Sequence, residues 1–261
     1  MNIKGKTALI TGGANGIGYL YAKELLRNGL KCVYIMDLPN SEGDVAVTKL
    51  EAEFGKSRAV FLVCDVSKAK DFELTFKEVL DACKDLDILI NNAGIMNDSR
   101  WEFMIDLNLK ALVRGTLMAI DHMGKHKGGK GGTVVNIAST VGLNAYPYFP
   151  VYCATKHAVI GFSSSIQELY EKTCVRILTM CPAVTITALI TECANKALEI
   201  MDKDELIADI KKRPSQSAEH VARALMDLIE KGDNGAIWVC AKGEPPYAIK
   251  RPTYSDYRIF Q

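Results

Sequence analysis

Apolar residues in this chain come in short unbroken runs, separated by longer stretches in which they recur every three or four positions. The runs at residues 7–10, 33–36, 59–63, 86–90, 133–137, 175–180 and 236–240 are rich in Val, Ile and Leu and predict seven strands. The stretches between them predict helices. One runs from the glycine-rich residues 11–18 to Asn28 and Gly29, one lies between the second and third strands, and others cover 69–83 and 106–126; a further one carries Tyr152. Strands apolar on both faces and joined by helices predict a parallel sheet covered on both sides, which right-handed crossovers turn into a doubly wound α/β fold. No linker, repeat or shift in composition divides the chain, so residues 1–261 are expected to form a single Rossmann-type domain. Two stretches break the alternation. Residues 187–214 predict helices with no strand between them, a small lid over a substrate cleft. Residues 243–261 read as an aromatic, charged tail on the surface, with docking on the cleft or on a partner subunit as its alternative.

Composition narrows the classes. Hydrophobic residues make up 48% of the chain and charged residues 24%, ordinary values for a water-soluble enzyme. A net charge of +1 gives no electrostatic footprint for nucleic acid or an anionic membrane. No run is apolar for long enough to span a bilayer, and the first residues lead into a strand without a signal-peptide core. The eight cysteines lack paired spacing and read as thiols in a reducing, cytoplasmic compartment.

Thr11-Gly12-Gly13-Ala14-Asn15-Gly16-Ile17-Gly18 sits between a predicted strand and a predicted helix, the context of a phosphate-binding turn. Glycines there let backbone approach a pyrophosphate, and the helix N-terminus supplies N–H groups and partial positive charge. Asp37, followed by Leu38, closes the second strand, where a carboxylate can accept hydrogen bonds from ribose hydroxyls. It would repel a 2′-phosphate, and no Arg or Lys stands near it to bind one, so NAD is the expected cofactor. Asp65 and Val66 follow the third strand; Asn92, Ala93 and Gly94 follow the fourth. Both sets lie at the carboxyl ends of strands, where doubly wound sheets bind ligands.

Tyr152 and Lys156 are four apart and so share one helical face, where the ammonium is expected to draw the phenol pKa down toward working pH. A phenol tuned in this way can exchange a proton with an alcohol or carbonyl oxygen. Ser139 lies thirteen residues upstream.

With these motifs at these spacings, the chain resembles the short-chain dehydrogenase/reductase family over nearly its full length. The resemblance implies a sheet in the order 3-2-1-4-5-6-7. It also implies Tyr152 as acid/base, Lys156 lowering its pKa and binding the nicotinamide ribose, and Ser139 holding the reacting oxygen. Asn108 would hold a water linking Lys156 to solvent. Thr185 and Thr187 would contact the carboxamide; Ala183 stands after Pro182 where the family usually has Gly. A homodimer, or a homotetramer, built on the helices around 110–123 and 159–169 is implied as well.

Residues 150–157, Trp101-Glu102 and residues 187–190 further resemble the NAD-dependent 15-hydroxyprostaglandin dehydrogenases and insect alcohol-dehydrogenase-like members of that family. Phe149 replaces a Gln of the prostaglandin enzymes, which argues against prostaglandin itself. Tyr146 to Phe149 predict an aromatic rim, and Val184 and Leu189, with Ala183, Ile186 and Ile190, an aliphatic wall suited to a lipid, isoprenoid or steroid alcohol. The rival reading is a dinucleotide-binding regulator or scaffold without turnover. No metal site is expected: His122 and His126 have helical spacing for zinc but no third ligand.

Overall fold

The protein's three-dimensional structure, a computed structural model, describes residues 1–258. Strand β1 (Thr7–Thr11) leads through the glycine turn into α1 (Gly16–Arg27), followed by β2 (Cys32–Asp37), α2 (Gly43–Phe54), β3 (Ala59–Val63), α3 (Ala69–Cys83) and β4 (Ile88–Asn91). Helix α4 (Trp101–Ile105) continues through a π-helical stretch (Asp106–Ala111) into α5 (Leu112–Met123), so this long helix starts five residues earlier than its apolar period suggested. Then come β5 (Gly132–Ile137), α6 (Pro150–Ile166), α7 (Tyr170–Thr173) and β6 (Val175–Pro182). Helices α8 (Ala188–Thr191) and α9 (Lys203–Lys212) follow with no strand between them, before α10 (Ala218–Lys231), β7 (Ile237–Cys240) and β8 (Tyr247–Ile249).

Seven strands lie parallel in the expected order, and an eighth is added: β8 pairs antiparallel with β7 at the end of the sheet. The tail after residue 243 is therefore part of the sheet at its beginning, which adds a strand to the seven expected and leaves the tail on the surface, with Tyr247 and Tyr254 exposed. Lys242 and Gly243 at positive φ turn the chain back. Three half-exposed residues are too few to show a period of two, so this strand left no mark in the hydropathy pattern. Ile259 and Phe260, read as part of the tail, lie outside the described residues.

Strands β1 and β4 are buried at every residue because helices cover both faces. On one face α1 and α10 pack Tyr21, Leu25, Val221 and Leu225 against the sheet. On the other, α3 and α5 contribute Phe72, Phe76, Ala119 and Met123. Each Leu, Val, Phe or Met among them taken fully out of water contributes about 1.5–3 kcal/mol. The chain winds one way from β1 through β2 to β3, then returns to the opposite side of β1 with β4. The connections leaving β1 and β4 diverge there, opening a crevice at their carboxyl ends.

Candidate active site

The crevice is built first from backbone. Gly12 has φ +64°, and a Cβ on it would stand 2.9 Å from Ala93 Cα; a Cβ on Gly18 would overlap the Gly12 carbonyl oxygen. Asn92 closes the same junction, its Nδ2 donating to the carbonyls of Thr11 at 3.0 Å and Gly12 at 2.8 Å. The Thr11 hydroxyl in turn accepts from the amides of Asn92 and Ala93, both at 3.1 Å. Helix α1 starts after Asn15 with no side-chain cap and no acidic residue in its first turn. Its first amides and the positive end of its dipole are thus left for an anion. Beyond the turn, Asp37 is fixed through both oxygens, accepting from Ala14 N at 2.9 Å and Leu38 N at 2.8 Å. Glycines that a Cβ would block, an uncapped helix and a carboxylate at the end of the next strand, all lining one cavity, together fit a dinucleotide. A 2′-phosphate would meet Asp37, with Glu42 also in the lining.

The candidate reacting groups come from the end of β5 and from α6. Ser139 follows β5 in extended conformation; its Oγ donates to the Pro182 carbonyl at 3.3 Å and accepts from Val141 N at 3.4 Å. On α6, Lys156 Nζ lies 5.6 Å from the centre of the Tyr152 ring and donates to the Ile137 carbonyl at 2.9 Å. Lys156 is only 5% exposed, and burial draws its pKa down to about 8. Burial also holds the Tyr152 phenol above its ordinary value, with a hydrogen bond to Ser139 pulling the other way. The expectation that Lys156 brings the phenol toward neutral pH is therefore corrected for the protein alone. The ammonium sits over the ring and bonds to a backbone carbonyl, and desolvation of the phenolate is the largest influence on the phenol. Asn108 stands in the π-helical stretch, and its amide is engaged by the loop after β4: Oδ1 accepts from Ile95 N at 2.9 Å and Nδ2 donates to Ile95 O at 2.8 Å. Nδ2 also reaches Thr155 Oγ1 at 3.3 Å.

A cavity of about 850 Å³ joins these parts. Gly12, Asn15, Gly16, Ile17, Gly18, Asp37, Leu38, Asp65, Val66, Asn92, Ala93 and Gly94 line its dinucleotide side, and Ser139, Tyr152, Lys156, Val184, Thr185, Thr187 and Leu189 the rest. Asn108 touches it only through its neighbours. Phe149 does not line it at all, which corrects its reading as a substrate contact. It is 0% exposed and stacks on Tyr146 with ring centroids 6.3 Å apart, in a cluster with Met104 and Leu206. The residue before Pro150 starts α6 with its side chain turned inward, so the rim is Tyr146 instead. The Tyr146 hydroxyl donates to Asp209 of α9 at 3.0 Å; Arg213 donates to the same carboxylate at 2.6 Å and lies 4.6 Å over the Tyr146 ring. This trio fastens α9 over the cavity, within the stretch expected to form a lid.

Met96, Phe103, Leu107, Ile210 and Arg213 also line the cavity and were missed from sequence. They sit on a loop or on helices whose apolar residues serve core and cavity alike, so nothing in their spacing sets them apart. All eight cysteines are free thiols. No helix among the described residues is long and apolar enough to cross a membrane.

Residues 6–198 match the family model described as short chain dehydrogenase. The chain belongs to the short-chain dehydrogenase family and is an enzyme of the oxidoreductase class. Among its relatives, the 15-hydroxyprostaglandin dehydrogenase [NAD(+)] of Mus musculus is 36% identical over 243 residues, covering 91% of this chain and 90% of that protein. Alcohol dehydrogenase 1 of Ceratitis cosyra is 33% identical, covering 97% of this chain and 100% of that one. The crystal structure of levodione reductase shares the fold with a TM-score of 0.80 at 21% identity, over 92% of this chain and 98% of that one.

Proposed function

We propose that this protein oxidises a hydrophobic primary or secondary alcohol to a carbonyl, using NAD. The carrying observation is that Tyr152, Ser139 and Lys156 open onto the same cavity as an uncapped helix N-terminus and Asp37. The glycine turn and α1 would hold the pyrophosphate, Asp37 the adenosine ribose, Lys156 the nicotinamide ribose, and Thr185 and Thr187 the carboxamide. When bound, NAD supplies a hydride acceptor. Tyr152 takes the alcohol proton as the hydride leaves, because the carbinol carbon gives up hydride readily only as its O–H bond breaks. Ser139 orients the oxygen, and Asn108 with Lys156 passes the proton toward solvent. Bound nicotinamide is cationic, which favours the phenolate that burial alone disfavours.

The names of the relatives support NAD and an alcohol substrate. The substrate side supports an apolar one: Met96, Phe103, Val184, Leu189, Ile190 and Ile210 leave few polar groups to meet a sugar. The same reading places the enzyme in a reducing, cytoplasmic compartment. It also pairs two copies through α5 and α6, where Leu117 is 46% exposed; a monomeric mass by light scattering would remove that part. The decisive assay follows NADH formation over prostaglandins, retinoids, farnesol-like isoprenoids and steroids. Turnover is expected with at least one, and Tyr152→Phe is expected to lower kcat by roughly a thousandfold or more with NAD affinity nearly unchanged. Substantial turnover by Tyr152→Phe sinks the mechanism; NAD binding without turnover of any alcohol favours the scaffold reading.

A further inference from the structure

Asp98 is 0% exposed, on the loop between β4 and α4, more than fifty residues from the helix it touches. Its Oδ2 accepts from Val151 N at 2.8 Å and its Oδ1 from Tyr152 N at 3.0 Å. These are second- and third-position amides at the start of α6, a helix whose own preceding residue, Phe149, provides no side-chain cap. A carboxylate supplied from a distant loop takes over that task and also meets the positive end of the dipole of a seventeen-residue helix. Burial pushes the Asp98 pKa up, and the two amide bonds work against that shift. One of the two amides belongs to the proposed acid/base itself.

The other end of the same loop is tied just as firmly. Three residues before Asp98, both backbone groups of Ile95 are held by the Asn108 amide, at 2.9 and 2.8 Å. Between these ties, Asn97 N points at the Met104 sulfur at 3.3 Å, and Met96 lines the cavity. The loop that leaves β4 after Asn91 is thus stapled to the π-helical stretch at Ile95 and to the Tyr152 backbone at Asp98.

We infer that Asp98 is a positioning residue for Tyr152: its carboxylate clamps the first turn of α6 and sets the distance between the phenol and the dinucleotide side of the cavity. Resting on the alcohol-dehydrogenase reading, this assigns Asp98 an effect on the chemical step and little on binding. A small misplacement of a proton acceptor costs rate steeply, whereas the glycine turn and Asp37 lie on other elements.

The test compares the full-length wild type with Asp98→Asn and Asp98→Glu. Asparagine keeps the shape but turns one acceptor into a donor facing an N–H; glutamate keeps the charge and shifts it by one methylene. Expected is a kcat lower by roughly ten- to a hundredfold in Asp98→Asn and several-fold in Asp98→Glu, with KM and NAD affinity within about threefold of wild type. In the protein without added dinucleotide, hydrogen exchange of residues 151–153 should quicken at least about tenfold in Asp98→Asn, while 159–166 stay protected. That second readout stands even if no alcohol is turned over, so failure of the functional reading and failure of the clamp are distinguishable. A kcat within twofold of wild type, a rise in KM matching the loss of kcat, or unchanged exchange overturns the inference. Should Asp98→Asn not fold, the same criteria apply to Asp98→Glu.

Discussion

The two halves of the cavity are made in different ways. The dinucleotide side is made of backbone: two glycines where a Cβ does not fit, amides at the start of α1, and an Asn92 side chain spent on carbonyls. The substrate side is made of side-chain volume, with Met96, Phe103, Leu189 and Ile210 converging from a loop and three helices. A backbone site tolerates few residue types at each position, while an apolar wall accepts any side chain that fills the space. The first half therefore dictates a cofactor class, and the second states only that its wall is apolar.

The largest effect expected from this contrast is at Gly18. Gly18→Ala places a methyl against the Gly12 carbonyl and the Asn92 amide. It should cost about 3 kcal/mol in stability and abolish saturable NAD binding, both read by thermal melts with and without dinucleotide. A variant that melts like wild type and is still stabilised by NAD would erase the distinction between the halves.

Lys156 belongs to both halves, and its burial sharpens the comparison through pH. Its folded pKa of about 8 lies below its ordinary 10.5. Below about pH 8 folded and unfolded chains both carry the proton, and the burial penalty is fully present. Between about 8 and 10.5 the unfolded chain binds more protons, so this group's contribution to stability rises with pH. Relative to Lys156→Met, which lacks the charge, wild type should gain up to roughly 3 kcal/mol across that window. Neighbouring tyrosines and cysteines with raised pKa values act in the opposite direction, so the difference between the two proteins is the quantity to measure. A constant difference between pH 7 and 10.5 would mean that Lys156 is not buried as a cation.

The smallest effect lies on the substrate side. Asp209, its pKa held below the usual range first by Arg213, fastens α9 to Tyr146. Asp209→Asn should raise the KM of the alcohol a few-fold through a looser α9, with NAD affinity unchanged, as expected for a half-exposed pair. An equal loss of NAD affinity would show that the two halves are not independent.

The contrast also explains what could be read in advance. The parallel sheet, the glycine turn, Asp37 and the Tyr152–Lys156 face all follow from local rules of period, spacing and chirality, whereas the strand order came with the family resemblance. Phe149 was misjudged because being next to α6 in sequence does not say which side of its first turn a ring takes. Asp98 was invisible because its partners lie fifty-three and fifty-four residues away and nothing local marks a carboxylate as a remote cap. The Tyr152 pKa was misjudged because spacing gives the nearness of a charge but not the depth of burial. Strand β8 was missed because it is only three residues long.

The π-helical stretch Asp106–Ala111 has a consequence for how this chain tolerates change in length. Such a stretch amounts to one residue squeezed into an otherwise regular helix, and each residue turns the helix by about 100°. Removing a single residue there would restore regular winding with the flanking turns little moved, and would take away the wide turn that holds Asn108 against Ile95. The helix is longer than its neighbours, yet the Asn108–Ile95 contact hangs on this one turn.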